Sequence, residues 1–259
     1  MLPPQVLAPV VRALAALAVL AEIGYPLVHG SARSALTVGT VVVFCAASAG
    51  HAALTRGARV GCALVAVFAV GGWLTDAVGV ATGVPFGAYR YAGSLGPVVL
   101  GVPVVIGLAW CMAAWPAYVA ALWLAPGLPR AARVPVAAAA LAAWDLFLDP
   151  QMVAAGHWTW RHPGPALPGV PGVPLSNYAG WLLAALALMA AFEVLAGPAA
   201  ARPGQDAVPL ALYLWTYGSS VLAHAAFFGL PGSAAWGGVA MGLVAVPLAT
   251  TLLRRRQRR

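Results

Sequence analysis

Residues 134–181 read VPVAAAALAAWDLFLDPQMVAAGHWTWRHPGPALPGVPGVPLSNYAGW, and this stretch decides the fold. Its first part, 134–154, is an apolar run long enough to cross a hydrocarbon core of roughly 30 Å as a helix. Asp145 and Asp149 interrupt that run four residues apart, on one helical face. A charged side chain at the middle of a span costs roughly 3 kcal/mol. Two of the chain's six acidic residues in one apolar helix therefore mark a site. The second part is a Gly- and Pro-rich loop carrying His157, Trp158, Trp160, Arg161 and His162, which leads into another apolar run.

The rest of the chain is built the same way. Of 259 residues, 62% are hydrophobic and 8% charged, and the mean hydropathy is +0.88. A soluble domain has about a quarter of its residues charged. Apolar runs at about 7–28, 35–54, 59–79, 100–125, 134–154, 178–197, 208–229 and 235–253 give an all-α, polytopic membrane helix bundle of about eight spans. One transmembrane domain is expected over 1–253, with a basic tail at 254–259. All 14 basic residues are arginine, and five sit in the last six positions. With that tail inside, an even number of spans puts both termini in the cytoplasm. Arg56, Arg59, Arg130, Arg133 and Arg202 then also fall inside, as the positive-inside rule requires. The expected location is the cell membrane, with a retained first span and the tail facing anionic lipid. Nucleic acid is not an expected partner, since no aromatic residue is interleaved with the basic run. Cys45, Cys62 and Cys111 suit neither a disulfide framework nor a metal knuckle and read as small buried hydrophobes.

This topology gathers the remaining polar groups at one depth. Glu22, Asp76, Asp145, Asp149 and His224 lie on odd-numbered spans, near the outer end of each. The two longest loops, 80–99 and 155–177, emerge on that side with Tyr89, Arg90, Tyr91, His157, Trp158, Trp160 and Arg161. Both contain Gly-Val-Pro and are expected to fold over the bundle as a lid. Asp145 and Asp149 read either as a carboxyl pair sharing a proton or as a helix-ending Asp beside one paired with Arg90 or Arg161. Pro150 predicts that Asp149 is the last regular residue of its helix. Glu193 and Asp206 read as solvated or interfacial, and His29 and His51 as incidental. Most tryptophans, Trp110 and Trp215 among them, read as belt or packing residues, while Trp73, Trp144 and Trp181 can offer a π face to a cation.

No GxGxxG follows a strand, no histidine cluster suits a di-iron centre, and no serine sits in a nucleophile elbow. What remains suits acid and base chemistry on an apolar molecule, with no metal and no cofactor expected. The DLFLD spacing leaves open a rival, an Mg²⁺-diphosphate site as in UbiA-type membrane prenyltransferases. A non-catalytic role in binding or transporting such a molecule is a third reading.

Three ordered motifs, TGVPFGAYRY, WDLFLDPQMVAAGHWTW and GVPLSNYAGW, resemble the carotenoid-biosynthesis membrane family that includes the CruF-type carotenoid 1,2-hydratases and bisanhydrobacterioruberin hydratase. The resemblance covers residues 73–181 by motif and the whole chain by span pattern. It implies a cofactor-independent hydro-lyase that adds water across the terminal double bond of an acyclic carotenoid end, giving a tertiary 1-hydroxy group. The implied substrate is lycopene, a monocyclic carotene or a C50 precursor, met in membrane lipid and in contact with other carotenoid enzymes. Asp145 or Asp149 is then the expected acid and Asp76 or Glu22 the base or electrostatic partner. Tyr89, Arg90, Tyr91, His157, Trp158, Trp160, Asn177, Trp181 and His224 are the expected substrate-binding residues.

Overall fold

The computed structural model describes residues 4–257, so Arg258 and Arg259 of the expected basic tail lie outside the described residues. Eight long helices follow one another: α1 (Pro4–Gly24), α2 (Gly30–Arg56), α3 (Ala58–Thr82), α4 (Val105–Leu124), α5 (Arg130–Ala154), α6 (Leu175–Ala196), α7 (Ala207–Ala226) and α8 (Pro231–Gln257). Among the described residues, all but α7 are long and apolar enough to cross a membrane. α7 has the length, 20 residues, but is diluted by Trp215, Thr216, Ser219 and Ser220, which line a cavity.

α4 is the hub. It is apolar on every side, as a helix surrounded by others must be, and it packs against α2, α3, α5, α7 and α8. Trp110, Trp115 and Tyr118 are almost wholly buried along it. α3 comes close because position 107 is glycine: a Cβ there would overlap the Ala69 carbonyl. That carbonyl belongs to a π-helical turn, Val65–Gly71, within α3.

Of the prolines inside helices, Pro116 and Pro150 are compensated in the same way. Proline has no N–H, so the carbonyl four residues earlier loses its helical partner, which is costly where no water reaches it. Below Pro116 in α4, the freed Met112 carbonyl accepts the Ser48 hydroxyl of α2 at 2.8 Å. Below Pro150 in α5, the freed Leu146 carbonyl accepts the Ser233 hydroxyl of α8 at 2.6 Å. The helix therefore runs through Pro150 to Ala154 and does not end at Asp149, contrary to the expectation from local sequence.

One end of the bundle is an arginine cluster. Arg56 meets Asp206 at 2.6 Å, and Arg130 meets Glu193 at 3.0 Å. Arg59 donates to the Leu195 carbonyl at 2.9 Å, Arg133 to that of Ala199 at 2.8 Å, and Arg255 lies over the Trp123 ring. The loop arginines assigned to one side thus do share an end. Glu193 and Asp206 are not solvated, however: both are buried, and Tyr118 and Trp123 also donate to them. His51 is buried there too, between the Gln205 carbonyl and the Trp115 indole. Of the cysteines, Cys45 and Cys111 are buried and Cys62 is exposed.

At the opposite end the two long loops meet. β1 (Tyr89–Tyr91) in the first pairs antiparallel with β4 (Trp158–Trp160) in the second, with Tyr89 opposite Trp160 and Tyr91 opposite Trp158. Between them in sequence, β2 (Val98–Val99) and β3 (Val102–Pro103) form a small hairpin turned by Leu100 and Gly101, which delays the start of α4 to Val105.

Candidate active site

Strand alternation explains why the ribbon matters. Successive side chains point to opposite faces, so Tyr89, Tyr91, Trp158 and Trp160 face the bundle and line its cavity, while Arg90 and Thr159 face out and are exposed. The cavity has a volume of about 540 Å³ and is bounded by residues of all eight helices under the ribbon, Asp76 coming from α3 and Met241 from α8. Tyr91 and Trp158 meet edge to face at 5.4 Å, and Tyr89 and Trp160 lie 5.5 Å apart. Deeper in, Trp110 and Trp181 stack with centroids 3.9 Å apart and Trp144 stands against Trp181 edge on.

Asp76, on α3, is buried and accepts three hydrogen bonds. Tyr89 donates at 2.7 Å, Tyr91 at 2.8 Å and Trp110 at 2.7 Å. The ribbon thus fixes the carboxyl from above and the central helix fixes it from the side. Burial and the neighbouring Asp76 push both phenols well above the usual tyrosine range, so they remain donors.

Asp145 and Asp149 form a second acidic group. Trp158 of β4 donates to Asp149 Oδ1 at 3.0 Å. The Asn177 amide nitrogen, at the start of α6, donates to Asp145 Oδ2 at 2.8 Å and also to Asp149 Oδ2. One nitrogen shared by two carboxyls holds them against each other. The pair is not equivalent. Asp149 lines the cavity beside Asp76, whereas Asp145 is fully buried behind it, with Oδ1 lacking a hydrogen-bond partner. Among the described residues no arginine pairs with Asp76, Asp145 or Asp149. The alternative that placed one of them on Arg90 or Arg161 is therefore not what the chain builds.

The remaining expected residues divide. Glu22 lines the same cavity and accepts from Trp215 at 2.6 Å. Arg90 points away, because its strand alternates. His224 is buried outside the cavity wall, bonded to Ser233 at 2.9 Å and to Gln151 at 3.2 Å, and so belongs to the support of Pro150. His157 is buried behind the ribbon, with Nδ1 2.7 Å from the Ser94 hydroxyl; burial, reinforced by Arg33, holds it below the usual histidine range. Two side chains set down as packing, Trp110 and Trp215, orient acids. Nothing near them in sequence reveals this, since each partner sits on another helix.

Chemically, the arrangement is an apolar chamber with carboxyls from two helices on one wall, aromatic faces around them and a lid that supplies their hydrogen bonds. Among the described residues no group of three or more His, Cys, Asp and Glu side chains is arranged to hold a metal ion. Fold and site together define a multi-pass membrane protein with a buried acidic chamber lined mainly by apolar side chains. A sequence model of the carotenoid biosynthesis protein family matches residues 34–244, and the chain belongs to that family. It is 35% identical, over 138 residues, to the bisanhydrobacterioruberin hydratase of Haloarcula japonica. That match covers 52% of this chain and 45% of the relative. No solved structure matches the chain.

Proposed function

We propose that this chain is a carotenoid hydratase that adds water to the terminal double bond of an acyclic carotenoid end group. The observation that carries the reading is that Asp76 and Asp149 line one apolar cavity, with a second carboxyl held behind Asp149 by Asn177. The hydratase relative supports it.

Hydrating an isolated alkene requires a proton donor at one carbon and support for the cation at the other. Asp149, holding the proton shared with Asp145, protonates carbon 2. The tertiary cation at carbon 1 then lies among Tyr89, Tyr91, Trp158 and Trp160, whose π faces attract positive charge, and near Asp76. Asp76 already accepts three hydrogen bonds, the arrangement of a carboxylate held as an acceptor. A water oxygen bonds to carbon 1 and its surplus proton passes to Asp76. Return of that proton to the Asp145 and Asp149 pair resets the site, so only water is consumed. Among the described residues no arginine pairs with these acids and Arg90 is turned outward, which weighs against a diphosphate substrate.

The test is conversion of lycopene by membranes containing the protein, in water labelled with ¹⁸O. A product 18 mass units heavier in unlabelled water, and 20 in labelled, is expected. Oxygen drawn from O2, or elongation by a prenyl diphosphate, would overturn the reading.

A further inference from the structure

The chemistry needs only one end of a carotenoid in the chamber, and the chamber has room for little more. Its volume of about 540 Å³ suits a drug-sized molecule, whereas a carotenoid is about as long as a hydrocarbon core is thick, roughly 30 Å. The rest of the chain therefore has to leave through a wall. At the outer face the paired strands close the way, with Tyr89, Trp158 and Trp160 buried.

Exposure marks where the wall is open. Among the described residues, those that line the chamber and are also outwardly exposed are Ile23, Leu27, Gly218, Leu222 and Phe227. All of them lie at the outer end of α1, in the turn that follows it, along α7 or at its end. Ile23 is 52% exposed and Leu222 60%, although each also faces the cavity. The seam between these helices is thinly held, because α1 packs mainly along α2 and touches α7 lightly. Glu22 accepts from Trp215 across it at 2.6 Å, the one side-chain hydrogen bond between α1 and α7 among the described residues. At the outer end of the seam Tyr25 meets Phe228 edge to face at 5.8 Å. On α7, Gly218 and Leu222 fall between those two braces, and a Cβ at Gly218 would meet nothing within 4 Å. The wall thus lacks a side chain where it opens.

We infer that the seam between α1 and α7 is the portal by which the acyclic end of a carotenoid enters from lipid, with the rest of its chain seated against Ile23, Gly218 and Leu222 during reaction. This rests on the hydratase reading, and it gives Glu22, which the proton transfers leave unused, the task of bracing the portal's flanks.

Two measurements on the full-length membrane protein in lipid nanodiscs test it. The first places a fluorescent thiol label at Gly218→Cys or, as control, at Leu183→Cys. The background is Cys62→Ser, which removes the exposed native thiol, and Asp149→Asn, which lets lycopene bind without turnover. Leu183 is 61% exposed at a matching depth on α6, which packs against α3 and α5. Lycopene should quench the label at 218 saturably, and the label at 183 only in proportion to the carotene dissolved in the bilayer. The second measurement is turnover by Gly218→Trp, whose side chain enters open space and so spares the fold. Its kcat/KM for lycopene should fall at least about tenfold, chiefly through KM, while Leu183→Trp keeps the wild-type value. Equal quenching at the two positions, or a wild-type kcat/KM in Gly218→Trp, would overturn the portal and leave the hydratase reading standing. Saturable quenching at 218 together with no hydration by the wild type would uphold the portal and overturn the hydratase reading.

Discussion

Asp145 and Asp149 are interchangeable by composition and spacing, and the structure makes them unequal. Asp149 faces the chamber, and Asp145 stands behind it on the same Asn177 nitrogen. Asp149→Asn keeps the Trp158 bond, because the amide oxygen can take the place of Oδ1, but removes the transferable proton. Loss of a general acid costs about 10²–10⁴ in rate, or roughly 3–5.5 kcal/mol of barrier. Asp145→Asn likewise keeps an acceptor for Asn177 and leaves Asp149 in contact with substrate. It removes only the partner that shares the proton, at about 1–2 kcal/mol, a slowing of roughly five- to thirtyfold. The assay is turnover of lycopene at saturating concentration in membranes with matched amounts of folded protein, judged by thermal unfolding in detergent. Asp149→Asn should fall at least about threefold below Asp145→Asn. Equal losses, or the reverse order, would refute the claim that cavity exposure assigns the acid.

Three further outcomes follow from packing and charge. Ser233→Ala leaves the Leu146 carbonyl, four residues before Pro150, without a partner and should cost about 1–3 kcal/mol of stability, read as a lowered midpoint of thermal unfolding. Gly107→Ala places a methyl group against the Ala69 carbonyl in the contact between α3 and α4, so the yield of folded protein should drop sharply while the same change at Gly127, which meets nothing, is tolerated. His157 is held below its ordinary value by burial and Arg33, so the unfolded chain binds a proton there more readily than the folded one. Its contribution is complete above pH ~6.5 and is lost as pH falls below that value; the unfolding midpoint should fall accordingly, and His157→Asn, which can keep the Ser94 contact, should flatten the profile.

Much of the fold follows from short-range rules. An apolar run of about 20 residues can satisfy its backbone in lipid only as a helix, so eight helices are readable from hydropathy and their ends lie within a few residues of expectation. Arginine placement likewise predicts which loops share an end. Depth is readable too, because residue number along a span is distance across the bundle. That is how Glu22, Asp76 and Asp149 come to line one cavity from three different helices.

What local sequence misreads has a common origin. Pro150 reads as a helix end, and α5 continues because a serine more than 80 residues away takes the orphaned carbonyl. Glu193 and Asp206 read as solvated, and instead arginines from other connections bury them. Arg90 reads as a ligand-binding cation, and the pairing of β1 with β4 turns it outward. Trp110 reads as packing, and becomes a donor only because α4 is the helix that Asp76 faces.

The sequence by itself determined the class of molecule, the number of helices, the common depth of the acids and the motifs of the family. Each of these depends on spacing along one segment or on composition. Only the tertiary structure decided that Asp149 rather than Asp145 meets the chamber, that the two loops pair strand to strand, and which tryptophans hold which acids. Those depend on the rotation of each helix about its axis, and that angle is set by the side chains of neighbouring helices, which no single segment contains.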